Sequence, residues 1–236
     1  MYRRVLKTFV FGALAIGLAA CGVQAPTEDA SASDPPPIEE EMTVIGPERH
    51  ILAFGDSLFA GYNLGEGEGY PEKLQAALRA NGVNARIADA AVSGDTTSAG
   101  RQRIGFVLDN LENVPELAII ELGGNDMLRS IPPAQTRENL AAILDELASR
   151  DIPVLLMGMR APPNLGPEFQ AEFDGLYGEL AAEFGAELVP FFLQSIFEDQ
   201  DLFLPDNIHP TAEGVEVMVA ATMDAVTSAL PQSPSD

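Results

Sequence analysis

The feature that most constrains this chain is a set of short apolar runs without polar alternation. Ile51-Leu52-Ala53-Phe54, Leu117-Ala118-Ile119-Ile120 and Val154-Leu155-Leu156-Met157 are the clearest. Successive side chains of a strand point to opposite faces, so a strand with one wet face alternates apolar and polar residues. A strand buried on both faces does not alternate. The segments between the runs have helical spacing instead, most plainly Leu140, Ile143, Leu144 and Leu147. The pattern predicts strands over residues 50–55, 83–88, 117–122, 153–157 and 187–191. It predicts helices over 70–81 and 97–111, around the Leu140 stripe, before Gly185, and over 211–230. Strands alternating with helices imply an α/β domain with a parallel sheet covered on both faces. No internal repeat or second domain is seen, and 236 residues suffice for one core once the ends are removed.

Open parallel sheets bind ligands beyond the carboxyl ends of their strands. The unusual stretches of this sequence all fall there. Ser57, in Phe54-Gly55-Asp56-Ser57-Leu58, follows the first strand, and Gly94, in Ser93-Gly94-Asp95-Thr96, follows the second. Asn125, in Gly123-Gly124-Asn125-Asp126, follows the third, and a Pro/Gly loop over residues 160–167 follows the fourth. Asp206 and His209, in Asp206-Asn207-Ile208-His209-Pro210, come after the fifth.

A serine hydroxyl is a poor nucleophile until a base takes its proton. The chain has two histidines, and His50 opens the first strand, at the end remote from Ser57. His209 is therefore the candidate base, with Asp206 placed to orient its ring. Attack on an ester carbonyl creates a negative oxygen that needs donors aimed at it. The Asn125 amide, the Gly94 N–H and the Ser57 N–H are candidates. Asp56, Asp95 and Asp126 read as residues that tie down loop backbone, because no His or acid cluster around them has metal-ligand spacing. Each stretch alone is an ordinary turn or helix entry; the specificity lies in their joint order at strand ends.

The ends of the chain read differently. Arg3, Arg4 and Lys7 precede an apolar run over residues 8–20 that is too short for a comfortable membrane span. The run closes in Leu18-Ala19-Ala20-Cys21, which resembles a bacterial lipobox. Residues 1–20 are expected to be a signal peptide, with Cys21, the sole cysteine, lipidated. Gly22 rather than Asp after the cysteine implies, for signals of this type, the outer membrane. An ordinary signal peptide with an unused cysteine is the alternative. Residues 21–46, acidic and containing Pro35-Pro36-Pro37, read as a disordered tether. The globular domain is then 47–230, with a loose tail over 231–236. The formal net charge of −23 excludes nucleic acid as a natural partner. It also disfavours polyanionic substrates, although solubility or a salty medium accounts for it as well.

Gly55-Asp56-Ser57-Leu58, Gly94, Gly123-Gly124-Asn125-Asp126 and Asp206-Asn207-Ile208-His209 together resemble the four blocks of the SGNH/GDSL hydrolases. Glu121-Leu122 before the third block, and Pro190-Phe191-Phe192, are similar to the bacterial thioesterase I/lysophospholipase/arylesterase subfamily. The resemblance implies a three-layer α/β/α fold with a five-stranded parallel sheet in the order 2-1-3-4-5. It implies Ser57 as nucleophile, His209 as base, Asp206 as its partner, and an oxyanion hole of Ser57, Gly94 and Asn125. It implies no cofactor or metal, and a loop over 127–132 that moves on acyl binding. Tyr70 stands where relatives have Trp, a difference expected to bear on substrate.

Leu58, Met127, Leu128, Pro162, Leu165 and Ile208 are the apolar candidates to line the site. Together they suit an acyl or aryl group better than a sugar. The expected reaction is hydrolysis of a small-molecule or lipid ester by a monomeric enzyme. Carbohydrate or peptidoglycan O-acetylester hydrolysis is the same-fold alternative. Acyl binding without turnover by an envelope lipoprotein is the alternative of a different class.

Overall fold

The computed structural model describes residues 44–232. The segment expected to be a signal peptide, Cys21, most of the expected tether and the last four residues lie outside the described residues. The expected architecture is present. Five strands, β1 (Arg49–Gly55), β2 (Ala85–Asp89), β3 (Leu117–Glu121), β4 (Val154–Met157) and β5 (Glu187–Val189), form one parallel sheet in the order β2-β1-β3-β4-β5. The helices are α1 (Tyr70–Ala80), α2 (Thr97–Asn110), α3 (Gly124–Leu128), α4 (Pro133–Ala148), α5 (Pro167–Phe184) and α6 (Ala212–Ala229). Helix α1 packs on α6, whereas α2 packs on α4 and α4 on α5. The sheet is thus sandwiched between two helical layers.

Burial follows sheet position. Every residue of β3, at the centre, is buried, while the edge strands β2 and β5 are only partly so. Strand β5 stops at Val189, two residues short of expectation, because Pro190 has no N–H for the ladder. The chain still follows β4 beyond it through Phe192 N–H to Gly158 O at 2.8 Å. Two helix starts carry side-chain caps: Thr96 accepts from Ala99 N–H, and Thr211 from Gly214 N–H.

Tyr70 is corrected by the structure. It is fully buried, stacks on Phe59 at 4.9 Å between ring centroids, and shares a 2.6 Å hydrogen bond with Thr222 on α6. It is a core residue joining α1 to α6. Leaving its buried hydroxyl without a partner would cost about 1–3 kcal/mol.

Candidate active site

The carboxyl edge of the sheet gathers the residues that the sequence scatters. Ser57 leaves the end of β1 on a turn closed by Ala60 N–H to Asp56 O and Tyr62 N–H to Ser57 O. Its hydroxyl lies 2.9 Å from His209 Nε2, and His209 Nδ1 lies 2.8 Å from Asp206 Oδ2. The loop holding Asp206 and His209 is shaped by Asn207, whose left-handed φ of 57° Asn tolerates better than most residues. That bend lets Asp206 Oδ1 accept from both the Ile208 and His209 N–H groups, at 2.9 and 3.0 Å. Partial desolvation works against the charge on Asp206. The hydrogen bonds from the His209 backbone, the His209 ring and Ile208 outweigh it, and hold its pKa at about 2.

Asn125 sits in the short helix α3, directly after β3. The backbone reaches it through Gly123, whose φ of 118° suits glycine alone, and where a Cβ would run into the Tyr177 hydroxyl. Asn125 Nδ2 donates to Asp56 Oδ2 at 2.9 Å. An amide has two such hydrogens, so one remains for a ligand. Gly94, with a φ of 86°, lies in the exposed loop after β2, and its carbonyl accepts from Arg129 at 2.9 Å.

The three aspartates expected to brace loops each do so. Asp56 Oδ1 accepts from Leu58 N–H at 3.1 Å. Asp95 pairs with Arg103 at 2.6 Å, and Arg103 in turn donates to Gly55 O at 3.1 Å. Buried Asp126 accepts from the Thr97 N–H at 2.8 Å and from the Thr97 and Thr136 hydroxyls, tying α3 to α2 and α4. His50 lies with Glu48 beside β2, away from Ser57. Among the described residues no group of three His, Cys, Asp or Glu could hold a metal ion.

A cavity of about 500 Å³ opens beside Ser57, Asn125 and His209. Leu58, Met127, Leu128, Pro162 and Ile208 line it, with Leu128 and Ile208 exposed at its rim. Leu165 does not. It closes a single 3₁₀ turn (Pro163–Leu165) and packs against the core, so that Pro163 takes the place in the wall. Sequence reasoning missed the far wall, formed by Met159, Phe191, Leu193, Phe197 and Phe203. Arg160 lies over the Phe191 ring at 5.2 Å. It also missed Tyr62, whose ring lies on the His209 imidazole with centroids 4.4 Å apart. All three wall phenylalanines come from the region after β5, where no periodicity signalled a site. Tyr62 sits five residues after Ser57, a spacing that only the observed turn makes meaningful.

Residues 53–217 match the GDSL-like lipase/acylhydrolase family. The chain is 39% identical to esterase TesA of Pseudomonas aeruginosa over 160 residues, 68% of this chain and 79% of that protein. It is 34% identical to an arylesterase of Vibrio mimicus over 163 residues, 69% of this chain and 80% of that one. Among solved structures, the SGNH-hydrolase-family esterase AlinE4 is 61% identical, with a TM-score of 0.68, covering 80% of this chain and all of that one.

Proposed function

Because the chain belongs to the GDSL-like lipase/acylhydrolase family, we propose that it is a serine esterase that cleaves acyl and aryl carboxylic esters through an acyl-enzyme. Ser57 Oγ attacks the ester carbonyl as His209 Nε2 takes its proton. Asp206 accepts the Nδ1–H, fixing the tautomer and stabilising the imidazolium. The oxyanion is held by the free amide hydrogen of Asn125, with the Ser57 and Gly94 N–H groups as further donors. Collapse breaks the ester C–O bond, and His209 returns the proton to the leaving alcohol. Water, activated by the same imidazole, then releases the acid and restores Ser57.

The observation that carries this reading is the apolar cavity that Ser57 and His209 share. Its size is that of a small-molecule pocket, and its phenylalanine, methionine and leucine wall favours an acyl chain or aryl ring. An acetyl group would leave most of it unfilled, which weighs against the O-acetylesterase alternative. Lysophospholipids and thioesters are further candidates of the same chemistry. The lipobox-like sequence ending at Cys21 supports a site of action outside the cytoplasm, on an outer-membrane anchor, which fractionation of the full chain tests.

The test of function is hydrolysis of a p-nitrophenyl ester chain-length series beside Ser57→Ala. Turnover is expected to rise from acetate to medium chains and to fall at least about 10⁴-fold in the variant. Activity confined to acetate would favour the O-acetylesterase. A folded protein without turnover would leave acyl binding as the function.

A further inference from the structure

Directly beneath the site lies an acid that the mechanism above does not use. Glu121 ends β3 in register with Gly55, which brings it beside Asp56. Its side chain is fully buried. One oxygen, Oε2, accepts from the Asp56 N–H at 3.3 Å, and the other, Oε1, has no hydrogen-bond partner among the described residues. An ionised carboxylate in that place would be a buried charge with an unmet acceptor beside a second carboxylate. Two buried carboxylates in contact do not both ionise. A single proton on the pair resolves the mismatch, since a carboxylic acid donates where a carboxylate only accepts.

The surroundings decide which partner holds it. Asp56 accepts from Leu58 N–H through Oδ1 and from Asn125 Nδ2 through Oδ2, and His209 faces it with the imidazole that becomes positive during turnover. Both of its oxygens are thus served as a carboxylate's would be. Glu121 has one backbone donor and no cation. The other ionisable groups around the pair do not change this. Arg103, from α2, is engaged by Asp95 and by the Ala90 and Gly55 carbonyls. Tyr177, from α5, spends its hydroxyl on Leu122 O, and the further acids near that hydroxyl, Asp126 from α3 and Asp174 from α5, bring no cation. Burial, and next the charge of Asp56, push the Glu121 acid well above the usual carboxylate range.

We propose that Glu121 is a positioning residue held as the neutral acid, donating to the Asp56 carboxylate, which in turn fixes the Asn125 amide and the Leu58 backbone on the reactive edge. The inference rests on Asn125 serving as an oxyanion donor. It adds a consequence the triad alone does not have. When alkali removes the shared proton, two negative charges lie under the developing oxyanion and the Asp56–Asn125 contact loses its support. Turnover then falls while substrate binding, made by the cavity walls, does not.

The experiment measures kcat and KM against pH for the wild type, Glu121→Gln and Glu121→Leu on one p-nitrophenyl ester, with Ser57→Ala alongside. It also records infrared difference spectra at neutral pH. The wild type should lose kcat on an alkaline limb at unchanged KM. Glu121→Leu should lose about 10–100-fold in kcat, up to the loss of one oxyanion donor, with KM little altered. Glu121→Gln keeps a neutral donor, so it should recover most of that loss and lack the alkaline limb. The wild type should show a protonated-carboxyl stretch that Glu121→Gln abolishes. If Glu121→Leu does not fold, the Gln variant and the spectrum decide alone. An unshifted alkaline limb in Glu121→Gln, or no protonated carboxyl at neutral pH, overturns the proposal while leaving the esterase standing. Full activity of Ser57→Ala would instead overturn the esterase reading, and with it the catalytic consequence drawn for Glu121.

Discussion

Two carboxylates serve this site from opposite sides, and their surroundings drive them to opposite states. Asp206 is on the rim, with its side chain about one-third exposed and three donors converging on it. Glu121 is under the floor, fully buried, with one backbone donor. Asp206 is held at a pKa of about 2, and Glu121 is pushed well up. Burial on one side and donor supply on the other, rather than residue type, decide which carboxyl group is charged. On the proposed mechanism the rim is a charge that orients a base, and the floor a neutral acid that orients an amide.

The two also tie folding to pH with opposite sign. Asp206 ionises more readily folded than unfolded. Its stabilising effect is present above the unfolded value near 3.8 and is lost as pH falls toward 2. Partial exposure makes that effect small. Glu121 ionises less readily folded. Its neutral form favours the fold fully below the unfolded value near 4.5, and that advantage is lost as pH rises through the folded value.

The largest expected effect comes from breaking the rim. Asp206→Asn keeps the shape but offers His209 Nδ1 an amide instead of a charge. The wrong tautomer or an unsupported imidazolium should lower kcat by about 10³–10⁴-fold. The same variant should retain a folded spectrum, since what it removes lies at the surface. Steady-state kinetics beside circular dichroism would check both parts. A loss of less than tenfold would mean that the rim carboxylate does not act through His209.

A smaller effect is expected where rim and floor meet. Asn125→Ala removes an oxyanion donor and should lower kcat by about 10²–10³-fold with little change in KM. It also removes the Asn125 amide from Asp56 Oδ2. The Asp56 acid is then easier to protonate, so the activity that remains should have an altered pH profile. A change confined to KM would place Asn125 in binding rather than in stabilising the transition state.

What could be read from the sequence divides along the same line. The rim was legible because His209 and Asp206 share one short loop, and because Ser57 stands where an apolar run stops. The three-layer fold was legible because β1, β3 and β4 show no polar alternation. The floor was not. Glu121 read as one more residue of a strand expected over 117–122, and only the register of β1 on β3 sets it beside Asp56. Helix α3 is five residues long, too short to show a helical period, so Gly123 to Asp126 read as a turn. Leu165 and Pro163 are two residues apart, and which of them faces the cavity depends on one 3₁₀ turn. Pattern reveals an element and its buried face. It does not reveal which side chains meet across elements.

Tyr62 offers the finest test of the rim. Its ring lies tilted by 36° on the His209 imidazole at 4.4 Å, and it is 42% exposed, so its burial accounts for little of its placement. Contact between two neutral rings steadies the rotamer in which Nε2 meets Ser57. When the imidazole becomes positive, the ring face also attracts the charge, by about 0.5–1 kcal/mol at an exposed site. The attraction to the charge is made only as the imidazolium forms, and the ring contact keeps the base poised for that step, so the two together belong in kcat. Tyr62→Leu should therefore lower kcat by about two- to tenfold with KM unchanged. Tyr62→Phe, which keeps the ring and lacks the hydroxyl, should stay within about twofold of the wild type. If Phe fell as far as Leu, the hydroxyl rather than the ring would be the working group, and the rim would hold its base by hydrogen bonds alone.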